Sequence, residues 1–182
     1  MSGGGRLRVL GIDPGTAVTG WGIVERSRGA FTYVAHGTVR TRAGGSLSMK
    51  LAAIHAALET CCAEWHPTVI ALETPFVGRN VQSAFRLGEV RGVAMLVAAA
   101  AGCEVAEYSP AAVKLAVTGH GRAEKPQVQR MIAREFGLTT EIPPDAADAL
   151  AVALSHVQSA GLRQALAAPP SLRAKGVRVK VG

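Results

Sequence analysis

The sequence is poor in the residues that staple secreted domains together or build zinc sites. It holds three cysteines in 182 residues. Cys61 and Cys62 are neighbours that cannot easily bridge each other, and Cys103 stands alone on an apolar segment, so reduced, structural cysteines are expected. No second pair accompanies Cys61-Cys62 and the five histidines are scattered, which argues against a zinc centre. No stretch combines the length and apolarity needed to cross a bilayer, and the start Met1-Ser2-Gly3-Gly4-Gly5-Arg6 lacks the apolar run of a secretory signal. A cytoplasmic protein without a membrane partner is therefore expected. Internal repeats are lacking as well. Acids are scarce: 13 Asp and Glu face 20 Lys and Arg, a formal net charge of +7, with a pI near 9.9. That surplus favours a polyanionic partner, nucleic acid first, through the counterion release that accompanies phosphate contact. Part of it sits in the tail, where Arg163, Arg173, Lys175, Arg178 and Lys180 follow Gly161 without an acid.

What is present suits one α/β domain with a single well-filled core, since 48% of the residues are hydrophobic. Arg8 to Asp13 is a short apolar run halted by Pro14-Gly15, and strand-like runs at Thr19 to Glu25 and Phe31 to Thr41 complete an antiparallel three-strand meander. From Ser46 the period becomes helical, with Leu47, Leu51, Ile54 and Leu58 on one face until His66-Pro67. Thr68 to Glu73 reads as a parallel strand covered on both faces. A helix over Val81 to Ala101 ends at Gly102, and Cys103 to Tyr108 reads as another buried strand. A short helix at Ala111 to Val117, a mobile polar loop at Thr118 to Ala123, a helix at Lys125 to Phe136 and a last helix from Asp145 to Ser159 follow. Residues 1–6 and 161–182 carry too little apolar periodicity to pack and are expected to be disordered, which leaves 7–160 as the domain.

The acids are the informative feature. Asp13 ends the first strand, Glu73 ends the later buried strand, and Asp145 and Asp148 open the last helix on one face. Singly, each has a structural use: Asp13 before Pro14-Gly15 suits a turn, Glu73 before Thr74-Pro75 a solvated strand end, and Asp145 and Asp148 a helix cap and its dipole. Together they can converge on one point. Unneutralised carboxylates so placed repel and raise one another's pKa values, an arrangement that cations relieve, and oxygen donors alone indicate magnesium or manganese.

Gly11-Ile12-Asp13-Pro14-Gly15-Thr16 with Thr19-Gly20, Glu73-x-x-Phe76, and Asp145-Ala146-Ala147-Asp148-Ala149-Leu150-Ala151 resemble the RuvC family of bacterial Holliday-junction resolvases. Asn80-x-x-Ser83-Ala84, Leu87-Gly88, Arg91-Gly92, Tyr108-Ser109-Pro110, Val113-Lys114 and Gly119-x-Gly121-x-Ala123-x-Lys125-x-Gln127-Val128 extend the likeness over Arg8 to Ser159. The order and spacing of these motifs make it specific. Departures are the Gly-rich start and Pro143-Pro144; the family also varies between Asp and His at the position of Asp145.

The resemblance implies a ribonuclease H-like fold, with a mixed five-stranded sheet and helices on both faces. It also implies a homodimer and metal-dependent, symmetric nicking of a four-way DNA junction in recombination and repair, leaving 5′ phosphate and 3′ hydroxyl ends. Asp13, Glu73, Asp145 and Asp148 would be catalytic acids holding two Mg2+ per subunit, with Mn2+ a substitute, and Lys114 and Lys125 would stand near the scissile phosphate. A branch-migration complex of RuvA and RuvB would be the partner.

Phe76 sits in a polar loop, where an exposed aromatic can stack on or wedge between bases; packing beneath its own loop is the other use of such a residue. Arg79 and Arg86 are candidate phosphate ligands nearby, and solvated helix charges would look the same. His120 is read as an ordinary loop histidine, and His36, His55, His66 and His156 receive no role. Gly88 and Gly92, with Ala94, Val97 and Ala98, permit close helix contact, against the chain's own sheet or against a second subunit. Two further classes compete: an actin-like ATPase, which shares the Asp-x-Gly-Thr turn but needs a second half, and a junction-binding protein without cleavage. If phosphate contacts dominate, affinity for a synthetic four-way junction falls steeply as salt is raised in a binding titration; a flat response contradicts the basic face.

Overall fold

In the computed structural model, residues 6–74, 81–138 and 142–167 are described. Strands β1 (Leu7–Asp13), β2 (Val18–Ser27) and β3 (Ala30–Arg40) form the meander, followed by α1 (Leu47–Trp65), β4 (Val69–Glu73), α2 (Val81–Ala100), β5 (Glu104–Tyr108), α3 (Pro110–Thr118), α4 (Lys125–Glu135) and α5 (Pro144–Ala167). The sheet order is β3-β2-β1-β4-β5. β1 pairs antiparallel with β2 and parallel with β4, which in turn runs parallel to β5.

The two-residue alternation of the strands divides the core. Leu10, Ile12, Ile23, Ile70 and Leu72 face α1 and α2. Val9, Val24, Val69 and Ala71 face α3, α4 and α5. Continuing that parity by one step puts Asp13, after Val9 and Gly11, and Glu73, after Val69 and Ala71, on the α5 face.

Three glycines let α5 press onto the meander. A Cβ on Gly11 would lie 2.1 Å from the Ala149 carbonyl oxygen, one on Gly20 would lie 1.9 Å from that of Asp145, and one on Gly22 would meet the Leu150 side chain at 2.7 Å. The Gly20 contact is the most consequential, because Gly20 pairs with Asp13 across β1 and β2. The bare strand position paired with the first acid thus receives the first turn of the helix that carries Asp145 and Asp148. The turn between the strands is locked by the buried Thr19, whose hydroxyl donates to the Gly15 carbonyl at 2.7 Å.

Three expectations need correction. Cys103 to Tyr108 is not a buried strand: β5 is the sheet edge, with Glu104 and Glu107 exposed, and its half-buried apolar residues split between the two faces, Val105 toward α1 and α2 and Ala106 with Tyr108 toward α5. The last helix does not stop at Ser159 but continues through Gly161 to Ala167, so it enters the segment assigned to the tail; Gly161 leaves room for the Arg26 guanidinium, whose carbon a Cβ there would meet at 2.9 Å. The polar segment after α3 is tied down: Thr118 belongs to the helix, Gly119 caps it at φ 76°, the Ala123 amide donates to the His120 carbonyl at 3.1 Å, and Ala123 is buried.

Gly20→Ala is predicted to destabilise the fold by about 3 kcal/mol in urea denaturation, the upper range for overpacking, because the obstructing atom is backbone and cannot rotate away. A loss below about 1 kcal/mol contradicts the close-approach account.

Candidate active site

β1 and β4 lie side by side with Ile12 opposite Leu72, so Asp13 and Glu73 emerge together at the carboxyl edge of the sheet. α5 brings Asp148 to the same place. These three acids line a cleft of about 230 Å³ together with Lys114 from α3, Lys125 from α4, and an apolar wall of Pro110, Val113, Val128 and Ala151. Local sequence explains each placement. Ser109 caps α3 by accepting from the Ala112 amide at 3.2 Å, and Pro110 fills the first turn, where its missing N–H costs nothing. Lys114 follows one turn later. On α4, Val128 and Ile132 are buried, and Lys125, three residues before Val128, reaches the rim of the cleft from an exposed position.

The electrostatics are strained. Burial, reinforced by Asp148, pushes the Asp13 carboxyl up to about 7; Glu73 and Asp145 add to the rise and Lys125 opposes it. Burial likewise raises Glu73, with Asp148 adding to it and Lys125 and Lys114 opposing. Asp148 is raised by burial, opposed mainly by its ion pair with the Lys125 ammonium. Burial works against the charge on Lys125, but Asp148, Asp13 and Asp145 outweigh it and hold the ammonium protonated beyond its usual range. Among the described residues, no three acidic, His or Cys side chains form a ready-made cation cage. The donor chemistry nonetheless fits a hard divalent cation: it is all oxygen, crowded and half-buried, with burial first and mutual repulsion second raising the acids' pKa values.

Of the residues singled out from sequence, Asp13, Glu73, Asp148, Lys114 and Lys125 therefore meet in one cleft. Asp145 stands beside it in the first turn of α5, its carbonyl against Gly20, and acts on Asp13, Asp148 and Lys125 through its charge. Arg86 is exposed on α2, across the sheet from the cleft. Phe76 and Arg79 lie outside the described residues. Sequence reading missed Gln129, which hydrogen-bonds Asp148; its spacing of four from Lys125 on α4 was the available signal. It also passed over His156, which is buried and paired with the Tyr108 hydroxyl.

A mixed sheet in this order, with acids at the carboxyl ends of its first and fourth strands and on a helix packed across them, is the ribonuclease H-like architecture of carboxylate-centred nucleases. The chain belongs to the RuvC family: the family profile described as "Crossover junction endodeoxyribonuclease RuvC" matches residues 9–156. A protein of that name from Heliobacterium modesticaldum is 48% identical over 153 residues, covering 83% of this chain and 94% of the relative. Another from Syntrophotalea carbinolica is 45% identical over 150 residues, covering 82% and 93%. The solved structure of Thermus thermophilus RuvC in complex with Holliday junction substrate superposes with a TM-score of 0.80 at 32% identity, covering 86% of this chain and 96% of that one.

If Asp13 ligates a divalent cation, a proton competes with the cation for its carboxylate, and metal affinity is predicted to fall as pH drops through about 7. Calorimetric titration with Mn2+ is predicted to give about tenfold weaker binding at pH 6 than at pH 8, with about half a proton released at pH 7 and close to one at pH 6. Equal affinity at both pH values contradicts the raised Asp13 carboxyl. The sign for folding is the opposite: because native Asp13 keeps its proton above the unfolded value, it makes the metal-free fold less stable as pH rises from about 4 to about 7.

Proposed function

We propose that this chain resolves four-way DNA junctions by cation-dependent hydrolysis of phosphodiester bonds, in recombination and repair. The observation that carries the reading is the meeting in one cleft of Asp13, Glu73 and Asp148, from distant stretches of the polypeptide, with Lys114 and Lys125 beside them. Family membership supports the activity, and the Thermus thermophilus relative solved with its Holliday junction substrate supports the choice of DNA.

Magnesium is the proposed cation, two per subunit with manganese a substitute, since a cleft with oxygen donors alone favours hard ions. Bound there, the ions supply Lewis acidity for activating water and stabilising the leaving 3′ oxygen, giving 5′ phosphate and 3′ hydroxyl ends. Asp13, which feels the charges of Asp148, Glu73 and Asp145, is the proposed shared ligand; Glu73 would hold one ion and Asp148 with Asp145 the other. Lys114 and Lys125 offset the charge that builds on the phosphoryl oxygens. Lys125 has a second role without cations, because its pairing with Asp148 relieves part of the repulsion. Phe76, Arg79 and Arg86 are the proposed contacts to the junction and its phosphates.

A second copy of the chain is proposed to pack on α2. Ala94, Val97 and Ala98 are committed to the chain's own sheet. Phe85 and Leu96 are exposed by 71% and 61%, and a Cβ on Gly88 or Gly92 would meet nothing within 4 Å. This leaves an apolar, small-residue stripe, which suits a two-fold pairing that presents two clefts to symmetry-related strands. A cytoplasmic setting and a RuvA and RuvB branch-migration partner complete the proposal; among the described residues no helix is long and apolar enough to cross a membrane.

Asp13→Asn is predicted to bind a synthetic four-way junction as tightly as the unaltered chain while losing nicking by on the order of 10³-fold. The measurement is a chelator-sensitive nicking assay beside a gel-shift titration. Normal cutting by this variant removes the central assignment.

A further inference from the structure

Glu73 is the last residue of its strand, and nothing in a β-ladder beyond that point holds it. The structure supplies a hold from the neighbouring strand. Glu73 pairs with Tyr108 at the end of β5, and the next residue, Thr74, is fastened twice to the Tyr108 carbonyl. Its amide donates at 2.8 Å and its hydroxyl at 3.0 Å.

Tyr108 is itself anchored from its other end. It shares the β5 face of Ala106, which packs with the α5 side of the core, and its hydroxyl lies 2.9 Å from His156 Nδ1. The two rings meet edge-on with centroids 5.9 Å apart. His156 is 4% exposed, and burial keeps its imidazole pKa below the ordinary value, so the partner of the phenol is the neutral ring. A part-buried hydroxyl and the nitrogen of a buried ring that satisfy each other are costly to separate.

His156 stands on α5 eight residues after Asp148, roughly two turns along the same helix. One rigid element therefore presents one carboxylate directly to the cleft. Through His156, Tyr108 and Thr74 it also fixes the strand end that presents another. We infer that His156 and Tyr108 are positioning residues for Glu73, forming a strap from α5 across the sheet edge that holds the Glu73 backbone in register with Asp148. This rests on the cation site proposed above. None of the three touches the reacting atoms; their effect is on where the Glu73 oxygens stand.

The test is direct Mn2+ binding to the full chain, by calorimetry or by the electron paramagnetic resonance of free Mn2+, with a thermal melt on each variant. Tyr108→Phe and His156→Leu are each expected to weaken binding about tenfold, the lower range for groups that orient a metal ligand, and the double variant no further than either alone. His156→Asn, which keeps a polar atom near the place of Nδ1, is expected to restore most of the affinity. Thr74→Val removes only the hydroxyl bond and leaves the core intact; a loss of about threefold is expected, the worth of one modest hydrogen bond. Unchanged Mn2+ affinity in Tyr108→Phe or Thr74→Val, with only the melting temperature lowered, overturns the strap. A wild-type chain that fails to bind Mn2+ overturns the cation site itself and the strap with it, so the control tells the two failures apart.

Discussion

The first turn of α5 rests on bare backbone. At Gly20 the Asp145 carbonyl occupies the space where any other residue would carry its Cβ, and Gly20 is the cross-strand partner of Asp13. Everything at the cleft follows from that approach. It brings Asp148 within electrostatic reach of Asp13 and Glu73, and burial together with that proximity raises the pKa of all three acids. Hydrophobic burial of Leu150, Val152, Leu154 and Val157 on α5 supplies the driving force that holds the helix down against the repulsion.

The repulsion is itself informative about function. A protein selected for stability alone would place an apolar side chain or a permanent partner at each of these positions. Here two ammoniums, Lys114 and Lys125, face Asp13, Glu73 and Asp148, with Asp145 beside them, so acids outnumber the cations that the cleft's own residues supply. Such a deficit attracts cations from solution. In the proposed reaction, cations bound there and the two lysines would together offset the charge of an approaching phosphate.

The sequence was legible where local rules act alone. Asp13 and Glu73 were readable because each ends an apolar run, and strand parity then fixes the face they share. Asp148 was readable from its spacing of three from Asp145, which puts the pair on one face at the start of the last helix. The edge position of β5 was not, because Val105 and Ala106 read as a buried strand whether one neighbour covers them or two. The length of α5 was missed for a related reason: Gly161 looks like a helix end in sequence, and only the packing of Arg26 over it shows why the helix continues. Gln129 and His156 escaped because a lone polar residue on a helix has no partner until the chain is folded. Family resemblance located the cleft residues but carried no information about how Thr74, Tyr108 and His156 are joined.

The most direct test of the cleft as a cation site is anomalous X-ray scattering from crystals of the unaltered chain soaked in Mn2+. The account predicts anomalous density between Asp13, Glu73 and Asp148, with the Lys125 ammonium displaced from Asp148. An empty cleft at saturating Mn2+, with Lys125 still paired to Asp148, would contradict it.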